Sequence, residues 1–215
     1  MVRVKICGIT NQKDALAAIA MGADSLGFHV ELEGSKCPIG AATASSIIAK
    51  LPPYVSSVIV TTETDPKSII RLAKATWANT FQLHGDVTAD TVRAVKAVMP
   101  YLKIYAVVHV FGADAIDDAK KFEDAADAVI LDSKDVATGA RGGTGKTHDW
   151  NISKRVVEAL TLPVILAGGL NPENVEEAIR IVKPYAVDVE SGISNPDCTK
   201  DLEKMKLFIQ LVKKT

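Results

Sequence analysis

Apolar runs of six to eight residues alternate along the chain with segments whose apolar positions recur every three or four residues. The short runs are rich in Val, Ile and Ala and have strand length. They are "VRVKIC" (2–7), "SLGFHV" (25–30), "VSSVIVT" (55–61), "NTFQLH" (79–84), "KIYAVVHV" (103–110), "AVILDS" (128–133), "PVILAG" (163–168) and "YAVDVES" (185–191). Runs this apolar suit strands covered on both faces. The longer segments read as helices. "DALAAIAMG" (14–22) follows Asn11, a capping residue type, and stops at Gly22. "DPKSIIRLAKA" (65–75) repeats the pattern, and "TKDLEKMKLFIQLVKK" (199–214) is amphipathic.

Eight strand candidates, each followed by a helix candidate, give a mean period of about 27 residues. No residue motif recurs from unit to unit, which disfavours a solenoid. A flavodoxin-like doubly wound sheet needs only five or six units. The count therefore predicts an α/β fold, a compact (β/α)8 barrel spanning residues 1–215 as one domain. No Ser/Gly linker or shift in composition marks a second unit.

Composition narrows the partners. With 47% hydrophobic and 5% aromatic residues the chain has the aliphatic stock of a parallel sheet packed by helices. Twenty-five basic and 26 acidic residues, net charge −1, are spread without a block. That pattern argues against nucleic acid or a membrane surface as partner. The opening "MVRVKICGITNQKD" turns polar too early for a signal peptide, and no apolar run reaches bilayer length. Cys7, Cys37 and Cys198 are odd in number and far apart, which suggests no disulfide framework and points to a reducing cytoplasm. Ordinary size and near-neutral charge leave a monomer as the default, with a homodimer as the alternative.

In a barrel of this kind chemistry gathers where the strands end. That rule selects Cys7, His29, Thr61, His84, His109, Asp132, Gly168–Gly169 and Glu190–Gly192. Two of these sites are glycine turns, in "LAGGLNPENVEEAI" (166–179) and "VESGISNP" (189–196). Glycine lets backbone N–H groups approach an anion, and the loops after strands seven and eight commonly hold a substrate phosphate. "GGTGKT" (142–147) suggests a nucleotide loop, but Ala140 stands where the first Gly of that motif belongs, so ATP is rejected. A flexible lid that adds N–H donors to a phosphate is the better reading of 132–150. Cys7 and Asp132 end strands one and six, on opposite sides of the mouth. A substrate between them can lose a proton to one group and gain one from the other, the arrangement for acid–base isomerisation.

Together "KICGIT" (5–10), "QLHG" (82–85), "LDS" (131–133), "GGTGKTHDW" (142–150), "LAGGLNPENV" (166–175) and "VDVESGI" (187–193) resemble the phosphoribosylanthranilate isomerase family of tryptophan biosynthesis, in order and over nearly the whole chain. The resemblance implies a cofactor-free barrel. It also implies an Amadori rearrangement of N-(5′-phosphoribosyl)anthranilate to 1-(2-carboxyphenylamino)-1-deoxyribulose 5-phosphate. Cys7 matches the family's general base and Asp132 its general acid. The phosphate falls to Gly143, Thr144, Gly145, Gly168, Gly169, Ser191 and Gly192, and His84 and Asp188 match substrate contacts or orienters.

The departures lie on the aromatic side of the substrate. "GFHVELEGSKCPIG" (27–40) places Cys37 where the family has an arginine for the anthranilate carboxylate, leaving Lys36 as a point-charge substitute. Glu31 and Glu33 add negative charge to the same loop, Thr61 replaces an apolar aromatic, and Glu190 is extra beside the phosphate turn, either as charge near the phosphate or as a side chain turned to solvent. A paralogue acting on another phosphorylated aminosugar or ketose, and a non-catalytic phosphate-binding barrel, are the alternative readings.

Overall fold

All eight expected strands form, and each pairs in parallel with the next in the chain. They are β1 (Arg3–Ile6), β2 (Ser25–His29), β3 (Ser56–Thr61), β4 (Thr80–Leu83), β5 (Lys103–His109), β6 (Ala128–Asp132), β7 (Val164–Leu166) and β8 (Ala186–Val189). β8 returns to β1, with Arg3 opposite Ala186 and Lys5 opposite Asp188, so the sheet closes into a barrel without edges. Helices α1 (Gln12–Met21), α2 (Ala41–Ile48), α3 (Pro66–Thr76), α4 (Ala89–Val98), α5 (Ala115–Lys120), α6 (Trp150–Ala159), α7 (Val175–Val182) and α8 (Leu202–Lys214) follow the strands in turn. This computed structural model describes residues 1–133 and 147–215. The lid expected within 132–150, and Gly143, Thr144 and Gly145 with it, lie largely outside the described residues.

Local chemistry explains the helix boundaries. Asn11 accepts from the Asp14 N–H at 2.9 Å, and Gly22 leaves the helix in the left-handed region at φ +106°. Asp65 caps α3 through the Ser68 N–H, Pro66 stands in its first turn, and Asp201 caps α8 through the Lys204 N–H. Asp149, from the "THDW" motif, caps α6 through the Asn151 N–H.

The two faces of each strand meet different surroundings. Val4 and Ile6, Val129 and Leu131, Val164 and Leu166, and Val187 and Val189 face outward into the main core between strands and helices. Residues of the opposite parity fill the barrel, where Ala128, Ile130, Ile165, Ala167 and Ala186 pack with Tyr105 and Val107. Lys5 shares that inward parity and is 1% exposed. A charged ammonium replaces an aliphatic side chain in the middle of the barrel.

The cysteines correct the expectation from sequence. Cys37 and Cys198 form a disulfide across 161 residues, and Cys7 alone is free. Distance along the chain misleads here because β2 and β8 both flank β1. Barrel closure brings the loop after β2 against the segment before α8.

Candidate active site

Where the strands end, the inward side chains surround an open cavity. Cys7 and His29, Gln82 and His84, Asp132, Gly168 and Gly169, and Asp188, Glu190 and Ser191 all contribute to its lining. Cys7 and Asp132 therefore share one mouth from walls that are not neighbours in the sheet. Among the described residues no lysine or arginine side chain lines it.

Beneath the mouth Lys5 Nζ donates to Asp188 Oδ2 at 2.8 Å. Burial on its own would lower the lysine, but the Asp188 carboxylate and the Cys7 sulphur overcome it and hold the ammonium above its ordinary range. Burial meanwhile pushes the Asp188 carboxyl up against the pull of Lys5. The two shifts compete for one proton, and a 2.8 Å contact to a cation decides for the ion pair. Among the described residues Asp188 Oδ1 and Gln82 Oε1 are buried without a hydrogen-bond partner, two acceptors at the mouth.

Space for the cysteine comes from Gly27 in β2. A Cβ there would stand 2.6 Å from Cys7 Sγ and 3.1 Å from Lys5 Nζ, so only glycine admits both groups. Burial pushes the Cys7 thiol up to about 12, against the lowering influence of Lys5 and with Asp188 and Glu190 adding to the rise. At neutral pH this sulphur carries its proton.

Asp132 stands at the end of β6, and its Oδ1 accepts from the Ser133 N–H at 2.8 Å. Burial raises it to about 7, the Ser133 N–H opposing and the Asp188 and Glu190 charges assisting. A carboxyl that is part protonated at neutral pH suits a proton donor. His84 Nε2 lies 3.9 Å from Asp132 Oδ2, and the His84 ring meets His109 edge-on at 5.5 Å.

The glycine turns are set by backbone constraint. Gly168 and Gly169 lie at φ +82° and +68°, and a Cβ on Gly168 would press on the Ser133 backbone N at 2.7 Å. Gly192, in a short 3₁₀ turn (Ser191–Ile193), leaves no room for a Cβ against the Leu170 carbonyl oxygen. Gly168, Gly169 and Ser191 face the mouth, and Gly192 locks the turn after β8 onto the turn after β7.

The loop after β2 departs most from expectation. Cys37 is held in the disulfide, and Lys36 is exposed and outside the residues that line the mouth. Glu31 turns away to pair with Arg71 of α3 at 2.6 Å, which removes much of the negative charge expected there. Thr61 Oγ1 donates to the Glu31 carbonyl at 3.0 Å, so this substitution braces the loop. Of its two readings Glu190 takes the one at the mouth, which it lines with Oε1 3.8 Å from His29 Nδ1.

Gln82 in the lining and Lys5 beneath it are site residues that sequence reading missed. Both sit two positions before a selected strand end, Cys7 and His84, and period-two alternation would have found them.

Comparison with known proteins places this geometry. The family model described as N-(5'phosphoribosyl)anthranilate (PRA) isomerase matches residues 4–211. A curated N-(5'-phosphoribosyl)anthranilate isomerase of Methanocella arvoryzae is 41% identical over 215 residues, covering 100% of both chains. Another, from Methanosarcina mazei, is 41% identical over 213 residues, covering 99% of this chain and 94% of its own. The crystal structure of phosphoribosyl anthranilate isomerase from Thermotoga maritima superposes with a TM-score of 0.88 at 36% identity over the full length of both chains. One solved structure, similar at TM-score 0.86 and 33% identity with full coverage of both chains, holds the isomerase in complex with reduced 1-(o-carboxyphenylamino)-1-deoxyribulose 5-phosphate. Matched from its first strand into its last helix, and 41% identical to a relative it covers completely, this chain belongs to the N-(5'-phosphoribosyl)anthranilate isomerase family.

Proposed function

We propose that this chain converts N-(5′-phosphoribosyl)anthranilate to 1-(2-carboxyphenylamino)-1-deoxyribulose 5-phosphate, with Asp132 as general acid and Cys7 as general base. One observation carries the assignment of roles: two proton-transfer groups face one mouth from opposite walls, and the carboxyl is tuned to about 7. Asp132 gives its proton to the ribose ring oxygen as the ring C–O bond breaks, leaving a Schiff base at C1′. The C2′ proton then passes to the Cys7 sulphur. The electron pair it leaves forms the C1′–C2′ double bond and neutralises the nitrogen. The resulting enol collapses to the ketone.

His84 orients Asp132 from 3.9 Å. Asp188 Oδ1 and Gln82 Oε1, both buried acceptors, take sugar hydroxyls. The phosphate sits on the turns that carry Gly168, Gly169, Ser191 and Gly192; Gly143, Thr144 and Gly145 are assigned to it by sequence match alone and lie outside the described residues. Lys36 stays a candidate for the anthranilate carboxylate only if substrate draws its loop inward. We place the reaction in the cytoplasm, on a monomer that needs no cofactor.

Loss of anthranilate fluorescence with freshly generated phosphoribosylanthranilate tests the reading. Wild-type protein should turn over, and Cys7→Ser and Asp132→Asn should each lower kcat by about 10²–10⁴-fold with the fold kept. Near-normal turnover in either variant removes that residue from its role. No turnover in the wild type, with a sugar phosphate still bound, would favour the paralogue.

A further inference from the structure

The structure gives Cys7 a partner that its role as base leaves unused. His29 ends β2 and is 4% exposed, and its Nε2 lies 3.4 Å from Cys7 Sγ. On the other side of the ring Nδ1 meets Ser35 Oγ at 2.8 Å, and Glu190 Oε1 stands 3.8 Å from the same nitrogen. Ser35 Oγ already accepts from the Cys37 N–H at 3.1 Å. A carboxylate and a hydroxyl oxygen at Nδ1 favour the tautomer with its proton there, and we assign that tautomer. Nε2 then presents its lone pair to the thiol.

We infer that His29 relays the proton of Cys7: its Nε2 takes the S–H proton and so generates the thiolate that removes the substrate's C2′ proton. The inference rests on the reading of Cys7 as general base. A thiol is a poor base until it loses its proton, and His29 Nε2, 3.4 Å from Sγ, is placed to receive it.

The protons balance. The Sγ–H bond breaks and an Nε2–H bond forms, giving thiolate and imidazolium. Asp132 protonates the ring oxygen. The thiolate then takes the C2′ proton and is a thiol again. At the end of the cycle His29 holds one proton more and Asp132 one fewer, and exchange between the two through solvent resets the site. Glu190 faces the imidazolium and steadies it, as a carboxylate does for a catalytic histidine.

The groups around the ring agree with this role. Cys7 and Lys5 face it from β1, and Glu190 and Lys200 from the segment after β8. Its register partner in β3, Val60, brings no charge. Burial lowers the imidazole below its usual range, with Glu190 pulling the other way and Lys5 and Lys200 adding to the fall. The resting ring is neutral and ready to accept.

The pH dependence of kcat/KM separates relay from direct action, because it reports the free enzyme. With the relay the productive form has neutral His29 and protonated Asp132. Activity then falls above about 7 as Asp132 ionises, is level beneath that, and drops again only where His29, lowered by burial, takes up a proton. If Cys7 ionises unaided, the productive form is thiolate with protonated Asp132. With the thiol near 12, activity then rises about tenfold per pH unit up to about 7 and levels off beyond.

We expect the first profile for the wild type and the second for His29→Gln, with kcat/KM at pH 6 lower by about 10²-fold or more. His29→Gln with an unchanged profile, or lowered equally at every pH, overturns the relay. So does a wild-type profile that rises to about 7 and stays level, which decides the matter even if the variant fails to fold. Cys7→Ser run alongside distinguishes the two readings. If it keeps turnover, the role of Cys7 fails and the relay with it; if it is inactive while His29→Gln is normal, only the relay fails.

Discussion

At the scale of single residues the site is tuned by burial more than by charge. Burial comes first among the causes that move Cys7, Asp132 and His29, and it drives each toward its neutral form. Neutrality suits the donor role proposed for Asp132 but costs stability once the solution is alkaline enough to ionise it. A carboxyl held at about 7 in the fold and 3.8 outside it stabilises the protein fully below the unfolded value. That stability is lost as pH rises through about 7. Asp132→Asn cannot ionise and keeps an oxygen for the Ser133 N–H. The variant should therefore be inactive yet melt higher than the wild type at pH 8–9, by an amount on the order of 4 kcal/mol at most. Thermal unfolding at pH 5 and pH 9 reads the sign. A gain larger at pH 9 than at pH 5 is expected, since the cost builds between 3.8 and about 7, and an equal gain at both would deny that Asp132 ionises in a costly setting.

At the scale of elements, strands supply the chemistry and turns supply the geometry. Strand alternation sends one parity to the barrel interior and the other to the helices, so Cys7 and Lys5 stand in one column, as do Glu190 and Asp188. The turns after β7 and β8 then lock through Gly192, whose missing Cβ lets the Leu170 carbonyl and Asn171 close in. Asn171 N–H donates to Asn174 Oδ1 at 2.9 Å, and Asn174 Nδ2 donates to the Gly169 carbonyl at 3.0 Å, which braces the first of these turns. Gly192→Ala must part the two turns. It should raise KM about tenfold or more while lowering stability by about 1–3 kcal/mol, with a smaller effect on kcat. Steady-state kinetics against a phosphate-free analogue checks it, since only the phosphorylated substrate should feel the change.

On the scale of the whole molecule, the disulfide links the loop after β2 to the segment before α8, and so reaches the mouth indirectly. Cys37 neighbours Ser35, and Ser35 holds the His29 ring. Cys37→Ser should lower stability by about 2–4 kcal/mol, because a crosslink over 161 residues restricts the unfolded chain. The same variant should cost less in turnover than any change at Cys7. Denaturant unfolding with and without reductant gives the comparison, and a wild type indifferent to reductant would show that the bond contributes nothing in solution. Disulfides are uncommon in reducing compartments, so this measurement also bears on where the protein works.

Much was settled by the order of residues alone. Eight apolar runs, each followed by a helix-like segment, leave a parallel barrel as the economical closure, and its strand ends announce Cys7, Asp132 and the two glycine turns. Those conclusions rest on local periodicity and on a rule about strand ends, and both are written along the chain. The pairing of Cys37 with Cys198, the buried Lys5–Asp188 ion pair, the turn of Glu190 toward His29 and the contact of His29 with Cys7 were beyond that reach. The first three join elements that only closure of β8 onto β1 brings together, and the last depends on the side-by-side pairing of β1 with β2. How far each group is buried, and so which proton it keeps, depends on neighbours distant in sequence.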